Sequence, residues 1–219
     1  MPHPQPLALI LAGGALTVTP ALLTIAAQAE LVIAADSGLR HAQPLGLSPD
    51  LIVGDFDSVS AADLARYPHV PHQRHPPEKD WLDLELAVDE ALKRGAKELI
   101  IAGGLGDRFD QSLAAVLLVA RLKGRGERVF MHSGDKQVHL LVGAEQLTLP
   151  LPIGQRFSLL SLVPELSGEA LSVVSVSGAK YPLDRHRLEL GVGLGVSNEV
   201  AATPLEVVTE AGLVAVIVE

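Results

Sequence analysis

The 219-residue chain carries 17 Lys and Arg against 26 Asp and Glu, a net charge of −9, and its apolar fraction is 48% with only 3% aromatic. That balance excludes a general nucleic-acid binder resting on a basic patch and a polybasic membrane anchor, and the apolar fraction excludes a disordered chain. The core is therefore expected to be aliphatic, and with no cysteine it has no disulfide, thiolate nucleophile or Cys-ligated metal.

The first part of the chain alternates strand-like and helix-like segments. Residues 7–12 form an apolar run ending in Gly13-Gly14, as a buried strand does. Residues 19–29 read as a helix with Pro20 at its first position. Strands are expected at 31–35, before Asp36-Ser37-Gly38, and at 51–53, before Gly54-Asp55-Phe56-Asp57-Ser58. Residues 69–75 form a further strand or a solvated loop, because Pro71 and Pro76 prevent a helix that would align His69, His72 and His75. A helix is expected over 80–94, with Asp80 as N-cap and Gly95 as stop. Residues 99–102 form a strand, 108–123 a helix closed by Gly124, and 128–131 a strand. Trp81 is expected in the core.

Beyond about residue 138 the pattern changes to short β-rich runs at 146–149, 156–162, 170–176, 187–190, 205–209 and 213–218, split by Gly, Pro and Ser. The expected fold is α/β: an N-terminal, mostly parallel, Rossmann-like three-layer domain over 1–135, then an antiparallel β-sandwich over 138–219. No apolar stretch is long enough for a membrane span, and the N-terminus lacks the positive charge of a signal peptide. With the missing cysteine, this fits a cytoplasmic protein.

In parallel α/β sheets ligands sit beyond the carboxyl ends of the strands, and that is where the Gly and Asp clusters fall. Asp55 and Asp57, at i and i+2 on a turn, can converge on one hard cation; they can equally bond only their own backbone. Lys79, Asp80 and Asp83 put a cation beside two carboxylates at a helix mouth, a phosphate-plus-magnesium arrangement. Gly103-Gly104-Leu105-Gly106 lets backbone approach a phosphate at a helix N-terminus, where Arg108 can fork two phosphate oxygens. No Gly-Lys-Ser/Thr follows, so this is not a P-loop. Tyr181 is a candidate for packing or for stacking on a ligand.

In this order, Ala12-Gly13-Gly14, Ala35-Asp36-Ser37-Gly38, Gly54-Asp55-Phe56-Asp57-Ser58, Lys79-Asp80-x-x-Asp83-x-Glu85, Gly103-x-x-Gly106-x-Arg108-x-Asp110, Gly178-x-Lys180-Tyr181-x-Leu183 and Ser197-Asn198-Glu199 resemble the thiamine pyrophosphokinase (thiamine diphosphokinase) family. The resemblance covers nearly the whole chain. It implies an α/β nucleotide-binding catalytic domain, a thiamine-binding β-sandwich, and a homodimer with the thiamine site at the subunit interface. It implies Mg²⁺, and ATP as the co-substrate that gives its terminal two phosphates to the hydroxyethyl group of thiamine, leaving AMP.

Carried over residue by residue, it puts Asp55, Asp57, Asp80 and Asp83 at the metal and, with Arg108, in catalysis. Gly13, Gly14, Asp36, Ser37, Gly38, Ser58, Lys79, Gly103, Gly106 and Asp110 fall at the phosphates and metal, and Tyr181, Ser197 and Asn198 at thiamine. Leu82, Gln111 and Gly195 stand where the family usually has Thr, His and Ser, and Asp107 where a second Gly is often found. Two other readings are a non-catalytic thiamine- or nucleotide-binding protein, motivated by those departures, and a phosphatase using Asp55 as nucleophile.

Overall fold

The structure is a computed structural model that describes residues 6–76, 78, 80–106, 108–163 and 172–219. The chain divides into two compact units, Met1–Asp135 and Lys136–Glu219.

The first unit is built on parallel strands β1 (Leu7–Leu11), β2 (Leu31–Ala35), β3 (Leu51–Gly54), β4 (His72–Arg74), β5 (Glu98–Ala102) and β6 (Arg128–His132). Their spatial order is β6-β5-β1-β2-β3-β4. The chain steps outward from β1 to β4, then returns to place β5 on the other side of β1. That reversal opens the crevice between β1 and β5 where such sheets bind ligands.

The pleat sends alternate residues to opposite faces. Leu9, Leu11, Ala34, Ile52, Ile100 and Ala102 cluster with Leu22 and Ala26 of helix α1 (Pro20–Gln28). Helix α1 starts as its sequence dictates: Thr19 accepts the Leu22 N–H at 3.3 Å and Pro20 takes the first position. Helix α3 (Asp83–Lys93) packs on β1, β2 and β3, and helix α4 (Phe109–Gly124) on β6. A short helix α2 (Ala61–Arg66), capped by Ser60, was not expected.

Three expectations need correction. Helix α3 begins at Asp83, with Leu82 as N-cap, so Asp80 lies before the helix. Leu82 has no oxygen to offer; Glu85 reaches back to accept the Leu82 N–H at 3.0 Å and so ties down the first turn. Helix α4 runs through Gly124, and the left-handed residue that ends it is Gly126, whose N–H meets the Lys123 carbonyl at 2.9 Å. Trp81 is 54% exposed rather than in the core. The Arg121 guanidinium lies 5.8 Å from its ring centroid and covers part of it.

The second unit is antiparallel. One sheet runs β12-β9-β14-β7, from β7 (Gln137–Val142), β9 (Arg156–Ser161), β12 (Asn198–Glu199) and β14 (Leu213–Val218). The other runs β11-β10-β13-β8, from β8 (Glu145–Leu149), β10 (Ser172–Ser177), β11 (Leu183–Leu188) and β13 (Leu205–Ala211). Phe157, Leu159, Val174, Val207, Val214 and Val216 from both sheets share one aliphatic core, as a sandwich requires. Strands β7 and β12 were not expected. Among the described residues no helix is long and apolar enough to cross a membrane.

Candidate active site

A cleft of about 370 Å³ opens at the carboxyl ends of β1, β2 and β5. A glycine or aspartate follows each apolar strand within two residues, and the residues just past the strand ends form the wall: Ala12 to Ala15 after β1, Asp36 and Ser37 after β2, and Gly103, Gly104 and Gly106 after β5. Arg40, Ser58, Leu82, Asp83, Arg108, Gln111 and Ser112 also line it.

The glycines here serve close approach. A Cβ on Gly14 would fall 2.5 Å from the carbonyl oxygens of Gly103 and Leu105, and one on Gly38 would collide with the Leu11 carbonyl. The two glycine turns are sewn together: the Gly14 N–H donates to the Gly103 carbonyl at 2.7 Å and the Ala15 N–H to the Leu105 carbonyl at 2.6 Å. The Gly103 N–H donates to Ser133 Oγ at 3.2 Å, and the Gly106 N–H to Ser112 Oγ at 3.0 Å.

From the opposite wall, a six-residue 3-10 segment after β2 (Asp36–His41) sends two side chains to the first turn. Arg40 Nη2 donates to the Gly13 carbonyl and, at 3.0 Å, to the Gly14 carbonyl. Buried His41 places Nε2 2.9 Å from the same Gly14 oxygen, and burial holds its imidazole below the ordinary range. Neutral His41 therefore donates Nε2–H to that carbonyl. Arg40, His41, Ser112 and Ser133 were not singled out from sequence. The only cue was the position of Arg40 and His41 just behind Asp36, on the same turn.

Acidic residues gather beside the glycines. Ligand oxygens of Asp36, Asp55 and Asp57 lie within 4.8 Å of one another. Asp36 and Phe56 have φ of 46° and 68°, a left-handed backbone rare for non-glycine residues and frequent at functional turns. Asp36 Oδ2 accepts from Ser58 Oγ, while Asp36 Oδ1 is buried with no hydrogen-bond partner among the described residues. Asp55 accepts the Asp57 N–H at 3.0 Å, so the turn does bond its own backbone. The neighbouring Asp55, by hydrogen bond and then by charge, raises the Asp57 carboxyl above its usual range, with Asp36 and Asp83 adding to the push.

The structure thus brings together Gly13, Gly14, Asp36, Ser37, Ser58, Asp83, Gly103, Gly106 and Arg108 in the cleft wall, with Asp55 and Asp57 joining through Asp36. Gly38 lies buried beneath it, against β1. Asp80 is exposed and does not line the cleft. Lys79 and Asp107 lie outside the described residues. Arg108 is exposed and held by Asp110 in a two-point pair at 3.1 and 2.7 Å, which keeps the Asp110 carboxyl below its usual range.

Tyr181, Ser197 and Asn198 belong to the second unit. Tyr181 is 62% exposed, with Lys180 Nζ 6.0 Å from its ring centroid. Asn198 is buried and spends its amide on the Tyr181 backbone: Oδ1 accepts the Tyr181 N–H at 3.1 Å and Nδ2 donates to the Tyr181 carbonyl at 2.8 Å. Ser197, at φ 60°, is exposed and donates its N–H to Ser158 Oγ at 3.1 Å.

Residues 22–131 match the family model described as thiamin pyrophosphokinase, catalytic domain, and residues 149–214 the one described as thiamin pyrophosphokinase, vitamin B1 binding domain. The thiamine pyrophosphokinase of Bacillus subtilis is 30% identical over 193 residues, 87% of each chain. Thiamin pyrophosphokinase 1 of Caenorhabditis elegans is 24% identical over 172 residues, 76% of this chain and 68% of its own. The crystal structure of the Bacillus subtilis thiamine pyrophosphokinase superposes with a TM-score of 0.80 at 23% identity, covering 97% of this chain and 98% of that one. The solved structure of the thiamin pyrophosphokinase from Candida albicans gives 0.77 at 16%, covering 98% of this chain and 89% of that one. With a catalytic-domain match spanning half its length and a 30% identical relative along most of it, the chain belongs to the thiamin pyrophosphokinase family.

Proposed function

We propose that this family's reaction, transfer of the pyrophosphoryl group of ATP to the hydroxyethyl oxygen of thiamine to give thiamine diphosphate and AMP, takes place in this chain at the carboxyl-end cleft of the first unit. The observation that carries the reading is the union of two glycine turns, an arginine and converging carboxylates at the point where the strand order reverses. Pyrophosphoryl transfer gathers negative charge on phosphate oxygens, and its catalyst is chiefly a positioning and charge-stabilising device. The family membership displaces the phosphatase and non-catalytic alternatives.

The acidic cluster fits Mg²⁺. Asp36 Oδ1 is buried without a partner among the described residues, and Asp57 is raised by its neighbours, so three carboxylates sit where their mutual repulsion calls for a cation. Asp36, Asp55 and Asp57 would hold the ion, with Asp83 contributing negative charge from the start of α3. When bound, Mg²⁺ neutralises phosphate charge. Ser58 orients Asp36 through its hydroxyl, and the glycine turns shape the wall for the phosphate chain. Arg108, released from Asp110, supplies a planar fork for phosphate oxygens.

The nucleotide and the chemistry are assigned to residues 1–135 and thiamine to 138–219, in line with the two domain descriptions. Thiamine is a flat aromatic cation, and exposed Tyr181 offers it a face. The protein is read as a homodimer with thiamine at the subunit interface; exposed Leu190, Val192, Leu194 and Val196 in the second unit supply apolar surface for it. The cysteine-free composition supports a cytoplasmic location.

The deciding experiment is Asp57→Asn, with AMP release followed in the presence of thiamine, ATP and Mg²⁺. Turnover is expected to fall by on the order of 10²-fold or more. Near-normal turnover at saturating Mg²⁺ would remove the cluster from the reaction.

A further inference from the structure

Glycine turns at a helix mouth usually hold phosphate with their own amides. Here four of those amides are already engaged. Gly14, Ala15, Gly103 and Gly106 all donate to partners inside the first unit, at 2.6 to 3.2 Å. These four amides supply shape, so the positive charge that the protein itself offers a polyphosphate comes chiefly from side chains. Of the described cations in the cleft wall, Arg108 is engaged at both ends of its fork by Asp110. Arg40 is the other. It makes no ion pair among the described residues, although it lines a cleft that also holds Asp36 and Asp83. Its Nη2 alone serves the two carbonyls of the glycine turn, leaving Nε and Nη1 free of any acceptor among the described residues.

On the reading that the cleft is the nucleotide site, we infer that Arg40 contacts the phosphate chain of ATP directly, while its Nη2 pins the Gly13-Gly14 turn in the shape that admits it. Arg40 is thus a binding residue whose charge the polar backbone of the wall does not duplicate. The effect falls on the nucleotide and not on thiamine, because the cation is complementary to phosphate and repels a thiazolium.

The test compares Arg40→Ala, Arg40→Gln and Arg40→Lys with Arg108→Ala in the full chain. ATP is titrated calorimetrically with Mg²⁺ and without thiamine, and the KM of thiamine and the thermal midpoint are measured alongside. A lost charge-assisted contact predicts ATP affinity weaker by on the order of tenfold to a hundredfold in Arg40→Ala. The thiamine KM should stay within about twofold, on the same ground that only the phosphate contact is removed. Arg40→Lys should recover part of the loss, since it restores charge without the fork, and Arg40→Gln, which keeps a donor for the carbonyls, should not.

A purely structural Arg40 gives a different pattern. The thermal midpoint drops, both substrates weaken together, and Gln rescues as well as Lys; that result overturns the inference. ATP affinity unchanged in Arg40→Ala but weakened in Arg108→Ala overturns it too, and leaves the cleft as the nucleotide site. Affinity unchanged in both variants moves the nucleotide elsewhere and overturns the reading beneath it.

Discussion

His41 and His132 are both buried, and burial holds both imidazoles below the ordinary value of 6.5. The unfolded chain therefore takes up protons that the folded one refuses. Their contribution is complete above pH 6.5 and is lost as the pH falls below it toward the folded values. The thermal midpoint should decline on acidification below about pH 6.5, and His132→Gln should flatten that decline. An identical slope in the variant would exonerate His132. The aspartates of the cleft were legible in the sequence because their grouping is local: Asp55 and Asp57 share one turn, and each carboxylate follows an apolar strand. Arg40 and His41 were not, because the carbonyls they hold lie 26 and 27 residues away. Nothing in the order of residues says that a 3-10 segment will fold back over the first glycine turn. Trp81 was misread because its apolar area is covered by a cation 40 residues on and not by the core.

Helix α3 starts one turn later than expected because two signals compete. Asp80 is a strong N-cap by type, but the apolar period that packs on β1, β2 and β3 begins after Leu82 and places the buried stripe at Ala87, Val88 and Ala91. Packing sets the start, and a residue without a capping oxygen is left at the N-cap. Leu82→Thr should supply that oxygen to the N–H of Glu85 and stabilise the protein by about 1 kcal/mol. For a chain of this size that is a rise of roughly 2–4 °C in Tm. Leu82 is 44% exposed, so little buried apolar area is lost in exchange. An unchanged or lowered Tm would show that the Glu85 carboxylate already satisfies the first turn. The tail was legible as β-rich with short runs, since alternation over five to seven residues marks strands such as β9 and β13. The two-residue β12 was not legible; it exists only because Asn198 and Glu199 pair with Phe157 and Arg156.

On the proposed function the two units divide the substrates, with the phosphates at the strand ends of one and thiamine at an exposed tyrosine of the other. Tyr181→Ala should raise the KM of thiamine by on the order of tenfold, the loss of one aromatic–cation contact, and leave ATP affinity unchanged. Gel filtration with light scattering should find a dimer at working concentrations. Full activity in a demonstrably monomeric preparation, or an unaltered thiamine KM in the Tyr181 variant, would place the vitamin elsewhere. The large features were legible because they rest on composition and period. The alternation of apolar strands with helices forces a covered parallel sheet, and the shift to short alternating runs forces a sandwich.

The hydrogen bonds between the two glycine turns bear on how such a protein can change over generations. A wall whose two glycine turns are bonded to each other carries much of its form in its own backbone. Its charge is then carried by side chains that are replaceable one at a time. Departures such as Leu82 and Gln111 sit on that wall without breaking any of its backbone bonds. Cations around that wall can therefore be exchanged, and the grip on the phosphate chain altered, while the bonds that join the two turns stay in place.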